Sequence, residues 1–262
     1  MAIYTDFTTD SKILVQVFSF LIFLSLTANT HAQENVSLLK ESVQQWNKWR
    51  EKNPGAIPDF RGADLSMSNL LGANLSMSIL SMSNFSMSNL RGADLRGAIL
   101  RETTFADANL RGAVLADANL RGAILEDANL REAILKDANL QDVRLQFAIL
   151  RGADLQGTNL FMSDLRGASL QGANLRFANL QDANLQNADL QDANLQNSSL
   201  RGANLQSSSL RGATLNGANL QDAKNLSCNQ VSSVKSLAKD TKFPDYLEVK
   251  ITGENQWTCK EK

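Results

Sequence analysis

Every fifth residue from Phe60 to Leu220 is a leucine or a phenylalanine, without one exception. Thirty of these thirty-three positions are leucine, and the others are Phe60, Phe85 and Phe105. Two residues before each of them, from the second unit on, stands a small residue, mostly alanine and otherwise serine, threonine or Val143. A period kept over this length places every unit in the same environment, which is typical of a solenoid.

A period of five excludes the ordinary regular elements. Five residues turn an α-helix by about 500°, so successive leucines would share no face. In a straight strand an odd period sends successive leucines to opposite faces. Each unit, such as Ala63-Asp64-Leu65, alternates apolar and polar residues like a short strand, and two residues with turn chemistry follow it. Only a chain that turns once per unit can bury all the leucines.

The second turn position is rich in glycine. Thirteen of the fifteen glycines occupy it, but Met67, Glu132 and Phe147 occupy it too. We therefore expect that this position does not require a positive φ angle. All three prolines lie outside the repeats, as expected if every repeat N–H is needed for hydrogen bonds between coils.

The pattern A(D/N)LXX, as in Ala63-Asp64-Leu65-Ser66-Met67, resembles the pentapeptide-repeat family over residues 60–223. The resemblance implies an all-β solenoid, a right-handed quadrilateral β-helix with four pentapeptides per coil. Leucine and the preceding small residue would point inward in about eight coils. At about 4.8 Å per coil the rod would be roughly 38 Å long.

Pairs of similar residues twenty positions apart support a coil of that length. The pairs are Phe85 with Phe105, Ile79 with Ile99, and Val114 with Ile134.

The N-terminal region contains an apolar run over residues 13–26, preceded by Lys12 and followed by Thr30-His31-Ala32. The run is short for a transmembrane helix and typical of a signal peptide, so we predict that residues 1–32 direct export and are removed. Export would place the protein in the periplasm, the thylakoid lumen or outside the cell, with no stable membrane insertion after cleavage. An uncleaved membrane anchor and a buried helix remain as alternatives.

Residues 33–59 are predicted to form a helical cap. Val36, Leu39, Val43 and Trp46 have helical spacing, and prolines follow. The cap would cover the open end of the first coil, whose unpaired backbone groups invite association. The alternative is that Trp46 and Trp49 form a ligand platform.

Residues 224–262 are predicted to form a small C-terminal cap of helical and irregular structure. We expect a short helix over residues 231–238 and a strand or helical turn over residues 246–251. Cys228 and Cys259 are the only cysteines, and in an exported chain they most simply form a disulfide that closes this cap. A zinc pair and a redox couple are the alternatives.

The sequence has no recognisable catalytic, cofactor or metal motif. Its only histidine, His31, lies in the segment that we expect to be removed. The many carboxylates fall at outward positions throughout the repeats, where a solvated surface explains them. We therefore predict no enzyme activity, no cofactor and no metal site.

Two sets of outward residues are candidates for a partner surface. One set consists of four methionines in Ser-Met-Ser stretches, and the other of four arginines twenty residues apart, which we expect to pair with Asp94, Asp154 or Glu132. The candidates are Met67, Met77, Met82, Met87, Arg91, Arg111, Arg131 and Arg151. Repeat drift explains the methionines equally well, and a solvated face with local ion pairs explains the arginines.

These observations favour a non-catalytic scaffold or protein-interaction rod outside the cytosol, with an unknown protein partner and an unknown oligomeric state. The alternative comes from the resemblance, because some family members imitate DNA and protect gyrase. Residues 61–220 hold 14 Lys and Arg against 15 Asp and Glu, a net charge of −1. A net charge this small produces only a weak electrostatic field, which disfavours imitation of DNA. No sequence pattern predicts nucleic-acid binding.

Overall fold

The structure is a computed structural model that describes residues 34–253 and 255–262. The predicted signal peptide, residues 1–32, lies outside the described residues.

The repeats form a four-sided β-helix whose coil is twenty residues long. Parallel bridges join each outward residue to the residue twenty positions later, from Asp59–Ile79 to Asn204–Lys224. Each bridge uses two backbone hydrogen bonds: Leu65 N donates to Asn84 O over 2.7 Å, and Asn84 N donates to Ala63 O over 2.9 Å. A bridge occurs every five residues along the chain, and each bridge joins residues that are twenty positions apart. One coil therefore contains four bridged positions, and the rod has four sides.

The leucine and small-residue columns fill the axis completely. Every leucine or phenylalanine of the period is at most 1% exposed. Phe85 and Phe105 stack in adjacent coils with ring centroids 5.0 Å apart, which confirms the predicted coil length. Where serine or threonine replaces alanine, its hydroxyl can donate a hydrogen bond to a backbone carbonyl. Thr158 Oγ1, for example, donates to Leu155 O over 2.7 Å. The interior of the rod is therefore a continuous core of these buried side chains.

The corners correct one prediction. The second turn position has a positive φ in every coil, including Met67 at 53°, Glu132 at 59° and Phe147 at 58°. A bond from Ala63 N to Phe60 O, 2.9 Å long, closes the first turn. A turn of this kind, with one left-handed central residue, needs the positive φ at its second central position, whatever residue the sequence supplies. The expectation that positive φ is not required was wrong.

We name the corners by this second turn position. Corner A begins at Gly62, corner B at Met67, corner C at Gly72 and corner D at Met77, and each continues every twenty residues. A face is named by the two corners that bound it. The outward residues of the first coil are Asp64 on face AB, Asn69 on face BC, Asn74 on face CD and Ile79 on face DA.

Two helical segments precede the rod. Helix α1 covers residues 34–41 and helix α2 is Val43–Lys52. Ser42 separates them because its extended backbone makes it the N-cap of α2, where its side chain accepts from Gln45 N. The predicted helical pattern thus belongs to two helices.

Helix α2 closes the open edge of the first coil. Trp46 is fully buried, and its Nε1 donates to Asn74 O over 2.7 Å. Asn47 donates to Gly72 O and accepts from Asn74 N, both over 2.9 Å, as a neighbouring strand would. Trp46 also packs edge-on against Phe60 with centroids 5.4 Å apart. A buried Trp46 cannot serve as a ligand platform, so that alternative is wrong.

The C-terminal segment continues the coil irregularly and then forms a hairpin. Bridges from Thr214 to Ser236 and from Asn219 to Lys242 add a last layer with spacings of 22 and 23. Helix α3, Cys228–Ser232, occupies one side of that layer, so the helix predicted over residues 231–238 ends much earlier than expected.

Strands β1, Leu247–Gly253, and β2, Gln256–Glu261, pair in antiparallel fashion. Cys228 of α3 and Cys259 of β2 form the predicted disulfide, which ties the hairpin to the rod. Within residues 34–253 and 255–262, no helix has the length and apolar character needed to cross a membrane.

Candidate functional site

The described part of the chain offers little that resembles a catalytic centre. It contains no group of three or more His, Cys, Asp or Glu residues that could hold a metal ion. A shallow cavity of about 470 Å³ lies between α3 and the hairpin and is lined in part by Lys235, Thr252 and Trp257. Its polar lining contains no carboxylate, imidazole or thiol. The outer surface of the rod is therefore the next place to look for a recognition site.

Large apolar side chains project from the corners. The four predicted methionines are 75% exposed at Met67, 59% at Met77, 66% at Met82 and 58% at Met87. The structure adds three residues that the sequence analysis did not single out as surface: Phe147, Met162 and Phe177 are also more than half exposed. All seven occupy the second turn position, and that shared slot was the signal that could have found them.

These seven residues have a positive φ, a backbone conformation that is unfavourable for residues with a side chain. An L-residue in the left-handed region is disfavoured by roughly 1–2 kcal/mol, and glycine avoids this cost, while asparagine and aspartate tolerate the region better. Glycine, aspartate or asparagine fills the second turn position in most coils. The five methionines and two phenylalanines depart from that rule. Such strain persists only where the surrounding structure determines the backbone conformation, as the turn repeated in every unit does here.

The side chains of Met77 and Phe147 lean toward the following coil. The Sδ of Met77 lies only 2.5 Å from where a Cβ on Gly97 would stand, and ring carbons of Phe147 lie 2.7 Å from such a Cβ on Gly167. At these two positions, glycine on the following coil makes room for the large residue on the preceding one.

The four predicted methionines do not form one flat patch. Met82 lies at corner A, Met67 and Met87 at corner B, and Met77 at corner D. They form an apolar surface that wraps three corners of the first two coils. We call these four residues the methionine surface.

The predicted arginine column lies at corner C. Arg111 Nη2 approaches Glu132 Oε2 at 3.2 Å, which is one of the expected pairs. Among the described residues, no acidic side chain lies within ion-pair distance of Arg91, Arg131 or Arg151.

The expected pairing with Asp94 and Asp154 was wrong because closer partners occupy them. Asp94 pairs with Arg96 at 2.6 Å, and Asp154 accepts from Asn174 Nδ2 at 2.8 Å. The arginine column therefore remains a largely uncompensated basic edge.

The outward asparagines and aspartates have structural roles. Asn89 Oδ1 accepts from Arg91 N at 3.3 Å, an Asx-type contact that fixes the turn. Asn179 Nδ2 donates to Asn159 Oδ1 over 3.1 Å, and thus forms part of a ladder between coils. The outward asparagines thus both fix turns and link neighbouring coils.

At the N-terminal end of the rod, the pKa shifts of Asp59 and Arg50 come from their own contacts and burial. A hydrogen bond from Arg61 to Asp59, 2.6 Å at its shortest, holds the pKa of Asp59 below its usual value. Burial lowers the pKa of Arg50, whose guanidinium donates to Ala56 O and Ser76 O, each over 2.8 Å. The Arg50 hydrogen bonds join helix α2 to the first coil, whereas the contact between Arg61 and Asp59 stays within one turn.

Comparisons with known proteins agree with this architecture. The family model for pentapeptide repeats matches eight copies, over residues 59–97, 88–127, 98–137 and 123–161. The model for a pentapeptide repeat region matches residues 147–220. Together they cover more than half of the chain. No curated protein sequence matches it.

Several solved structures are similar. A trypsin-treated variant of QnrB1, a plasmid-mediated fluoroquinolone resistance protein, is 20% identical with a TM-score of 0.55, covering 72% of this chain and 89% of that chain. HetL, involved in heterocyst differentiation regulation in the cyanobacterium Nostoc sp. strain PCC 7120, is 34% identical with a TM-score of 0.33 and coverages of 74% and 92%. A pentapeptide repeat protein from the Arabidopsis thaliana thylakoid lumen is 31% identical with a TM-score of 0.38 and coverages of 39% and 71%.

Proposed function

The chain belongs to the pentapeptide repeat family, whose members form right-handed quadrilateral β-helices, and we propose that it is a non-catalytic interaction rod that binds a protein partner outside the cytosol. The observation that carries the proposal is the methionine surface. Four exposed, unbranched apolar side chains occupy strained backbone positions in neighbouring coils, where glycine would fold more easily. Exposed methionines make adaptable contact surfaces, so a protein partner is the simplest use for them.

The arginine column at corner C provides a second, polar contact edge. Arg91, Arg131 and Arg151 have no acidic partner among the described residues, so their guanidinium groups are available to carboxylates of a partner. An acidic protein surface beside an apolar patch would match both features.

The disulfide supports a location outside the cytosol. Disulfides persist in oxidising compartments, and the pair Cys228–Cys259 leaves no free thiol among the described residues. The apolar run at residues 13–26 agrees with export. Sequencing the N-terminus of the protein from fractionated source cells tests this part of the proposal: a start near Gln33 supports export, and an intact N-terminus in the cytosolic fraction contradicts it.

The partner surface is tested by a variant in which Met67, Met77, Met82 and Met87 are all changed to glycine. Glycine adopts the corner conformation without strain, so the variant keeps its fold. The partner is first captured and identified with the unchanged protein, and its affinity for the variant is then measured with purified components. We expect at least a tenfold loss of affinity. A matched variant, Phe177→Gly, removes an exposed residue outside this surface and should bind normally.

Gyrase protection is the other function to test. QnrB1 is a fluoroquinolone resistance protein, but its likeness to this chain shows only the shared fold. The net charge of −1 over residues 61–220 provides little of the anionic field that imitation of DNA requires. We expect no protection of gyrase from a fluoroquinolone in a supercoiling assay; protection would favour that function instead.

A further inference from the structure

The first coil of the rod has an open edge on two of its four sides. In every later coil, the N–H and C=O of each outward residue bond to the coil before it. On face BC, for example, Asn89 N donates to Ser68 O over 2.9 Å, and Asn89 O accepts from Leu70 N over 2.8 Å. Among the described residues, the backbone N–H and C=O of Asp64 and of Asn69 have no such partner. The edge is therefore open on faces AB and BC.

The N-terminal cap covers only the other two sides of this coil. Helix α2 bonds to both backbone groups of Asn74 on face CD, and residues 58–60 bond to both of those of Ile79 on face DA. Burial follows the same division. The small inward residue of the first coil is fully buried on faces CD and DA, at Ala73 and Ser78, but only partly buried on faces AB and BC.

The two open sides differ in chemistry. On face AB the outward residue is Asp64, a charge of the kind that discourages the addition of a strand. On face BC the outward residue is Asn69, which is neutral and exposed, and Met67 and Leu71 stand two residues before and after it. Met67 is 75% exposed and Leu71 is 53% exposed. Leu71 is also unusual, because every later coil has arginine or glutamine at its position in corner C.

We propose that the edge of face BC binds an extended segment of a protein partner, which adds to the first coil as one more strand. Such a segment accepts from Asn69 N and donates to Asn69 O, as the preceding coil does for Asn89. Side chains two positions before and two positions after the paired residue then contact Met67 and Leu71. The backbone bonds contribute affinity, and the two apolar contacts select the sequence of the segment.

A single strand fits this end of the rod, whereas a second rod does not. Free N–H and C=O groups on one edge are matched by the backbone of an extended chain. Beside the edge lies helix α2, whose Asn47 Nδ2 donates to Gly72 O at corner C over 2.9 Å. A second rod stacked end to end would need the space next to face CD that α2 fills, but an added strand, about 5 Å wide, needs only the edge of face BC.

The inference rests on the proposed partner binding and deepens it, because Met67 also belongs to the methionine surface. It adds the form of the contacting segment, which is extended and has apolar residues four positions apart. It also adds Leu71, which lies outside the methionine surface, as a contact residue.

Three variants isolate the backbone contact. Asn69→Pro removes the free N–H, and proline is tolerated at a strand edge whose N–H faces solvent. Asn69→Ala removes the same side chain but keeps the N–H. Asp64→Pro is the matched control, because it removes the equivalent free N–H on face AB. Circular dichroism first establishes that each variant is folded.

The probe is a library of random peptides displayed on phage and selected against the full chain. We expect enriched peptides with apolar residues four positions apart. They should bind Asn69→Pro at least about tenfold more weakly than the unchanged protein and bind the other two variants normally. The absence of any enriched sequence, or equal binding to Asn69→Pro, would overturn the proposal. A dimer of the unchanged chain that Asn69→Pro abolishes would assign the edge to a second copy and overturn it as well.

Hydrogen exchange measured by NMR does not depend on the folding of a variant. We expect an enriched peptide to slow the exchange of the Asn69 amide at least about tenfold and to leave that of Asp64 unchanged. Equal protection of the two amides, or none at Asn69, would contradict the added strand.

The captured partner separates this inference from the proposed function. Weaker binding to Asn69→Pro supports the added strand, whatever the quadruple methionine-to-glycine variant does. Loss of affinity in the glycine variant but not in Asn69→Pro would overturn the added strand alone. Normal affinity in both variants would overturn the proposed partner surface too.

Discussion

The ring of Phe147 lies against the Cα of Gly167 in the next coil, so close that a Cβ on Gly167 would stand 2.7 Å from two ring carbons. The two residues are twenty positions apart and share corner B. Glycine is therefore favoured at position 167 for two separate reasons. Its φ is +65°, and the ring of Phe147 leaves no room for a Cβ.

Replacement of Gly167 by alanine should therefore destabilise the rod by more than the backbone strain alone. We expect a loss of about 2–4 kcal/mol, of which about 1 kcal/mol reflects the left-handed conformation. Gly152→Ala is the matched control because its φ is +64° and no atom lies within 4 Å of the added Cβ. Urea unfolding followed by circular dichroism measures both.

A double variant separates the two causes. With Phe147 changed to glycine, the added cost of Gly167→Ala should fall to that of Gly152→Ala. If the cost of Gly167→Ala is the same with and without Phe147, the ring contact does not matter energetically.

Leu140 and Asn139 are neighbours with opposite orientations. Leu140 is fully buried in a middle coil, whereas Asn139 projects outward, where it accepts from Asn159 Nδ2 at 3.4 Å. Leu140→Asp leaves an unpaired carboxyl in the core and should prevent folding, since the combined cost exceeds about 5 kcal/mol. Asn139→Asp should fold and lose less than about 1 kcal/mol. A soluble, cooperatively melting Leu140→Asp protein would contradict the inward placement of the leucines.

The disulfide should stabilise the C-terminal hairpin locally. Changing Cys228 and Cys259 together to serine removes a cross-link that spans 31 residues, worth roughly 3–4 kcal/mol by the chain-entropy estimate. Because each coil contacts only its neighbours, the loss should remain near the C-terminus. Hydrogen exchange is expected to accelerate in β1 and β2 and to stay unchanged around Leu140. Faster exchange throughout the rod would mean that the hairpin supports the whole column.

The strict period was sufficient to predict the solenoid and its core, whereas the twenty-residue coil followed from the resemblance to the pentapeptide-repeat family and was supported by pairs such as Phe85 and Phe105. It could not predict the left-handed corners, because glycine, aspartate, methionine and phenylalanine share the position and only the turn geometry reveals the common φ. Phe147 and Phe177 were overlooked as surface residues for the same reason. They occupy the same turn position as Met67, but they lie outside the Ser-Met-Ser stretches from which the candidate partner surface was predicted.

The two ends of the rod were less predictable than the repeats. Trp46 could be assigned to a helix by its spacing, but its hydrogen bond to Asn74 O depends on where the first coil ends. The C-terminal layer breaks the twenty-residue spacing, so no periodic signal distinguished α3 from the irregular chain after it. The partner of Cys228 was predictable only because Cys259 is the one other cysteine.

The central claim is that the methionine surface is kept for contact at the expense of stability, and the thermal unfolding of the quadruple glycine variant tests it most directly. Relief of left-handed strain, roughly 1–2 kcal/mol per site, should outweigh the added freedom of glycine in the unfolded chain, about 0.5–1 kcal/mol. We expect the Tm to rise by several degrees, while the same four methionines changed to alanine, which keep the strain, should give no rise. An unchanged or lower Tm in the glycine variant would contradict the claim, because the methionines would then be stabilising parts of the column.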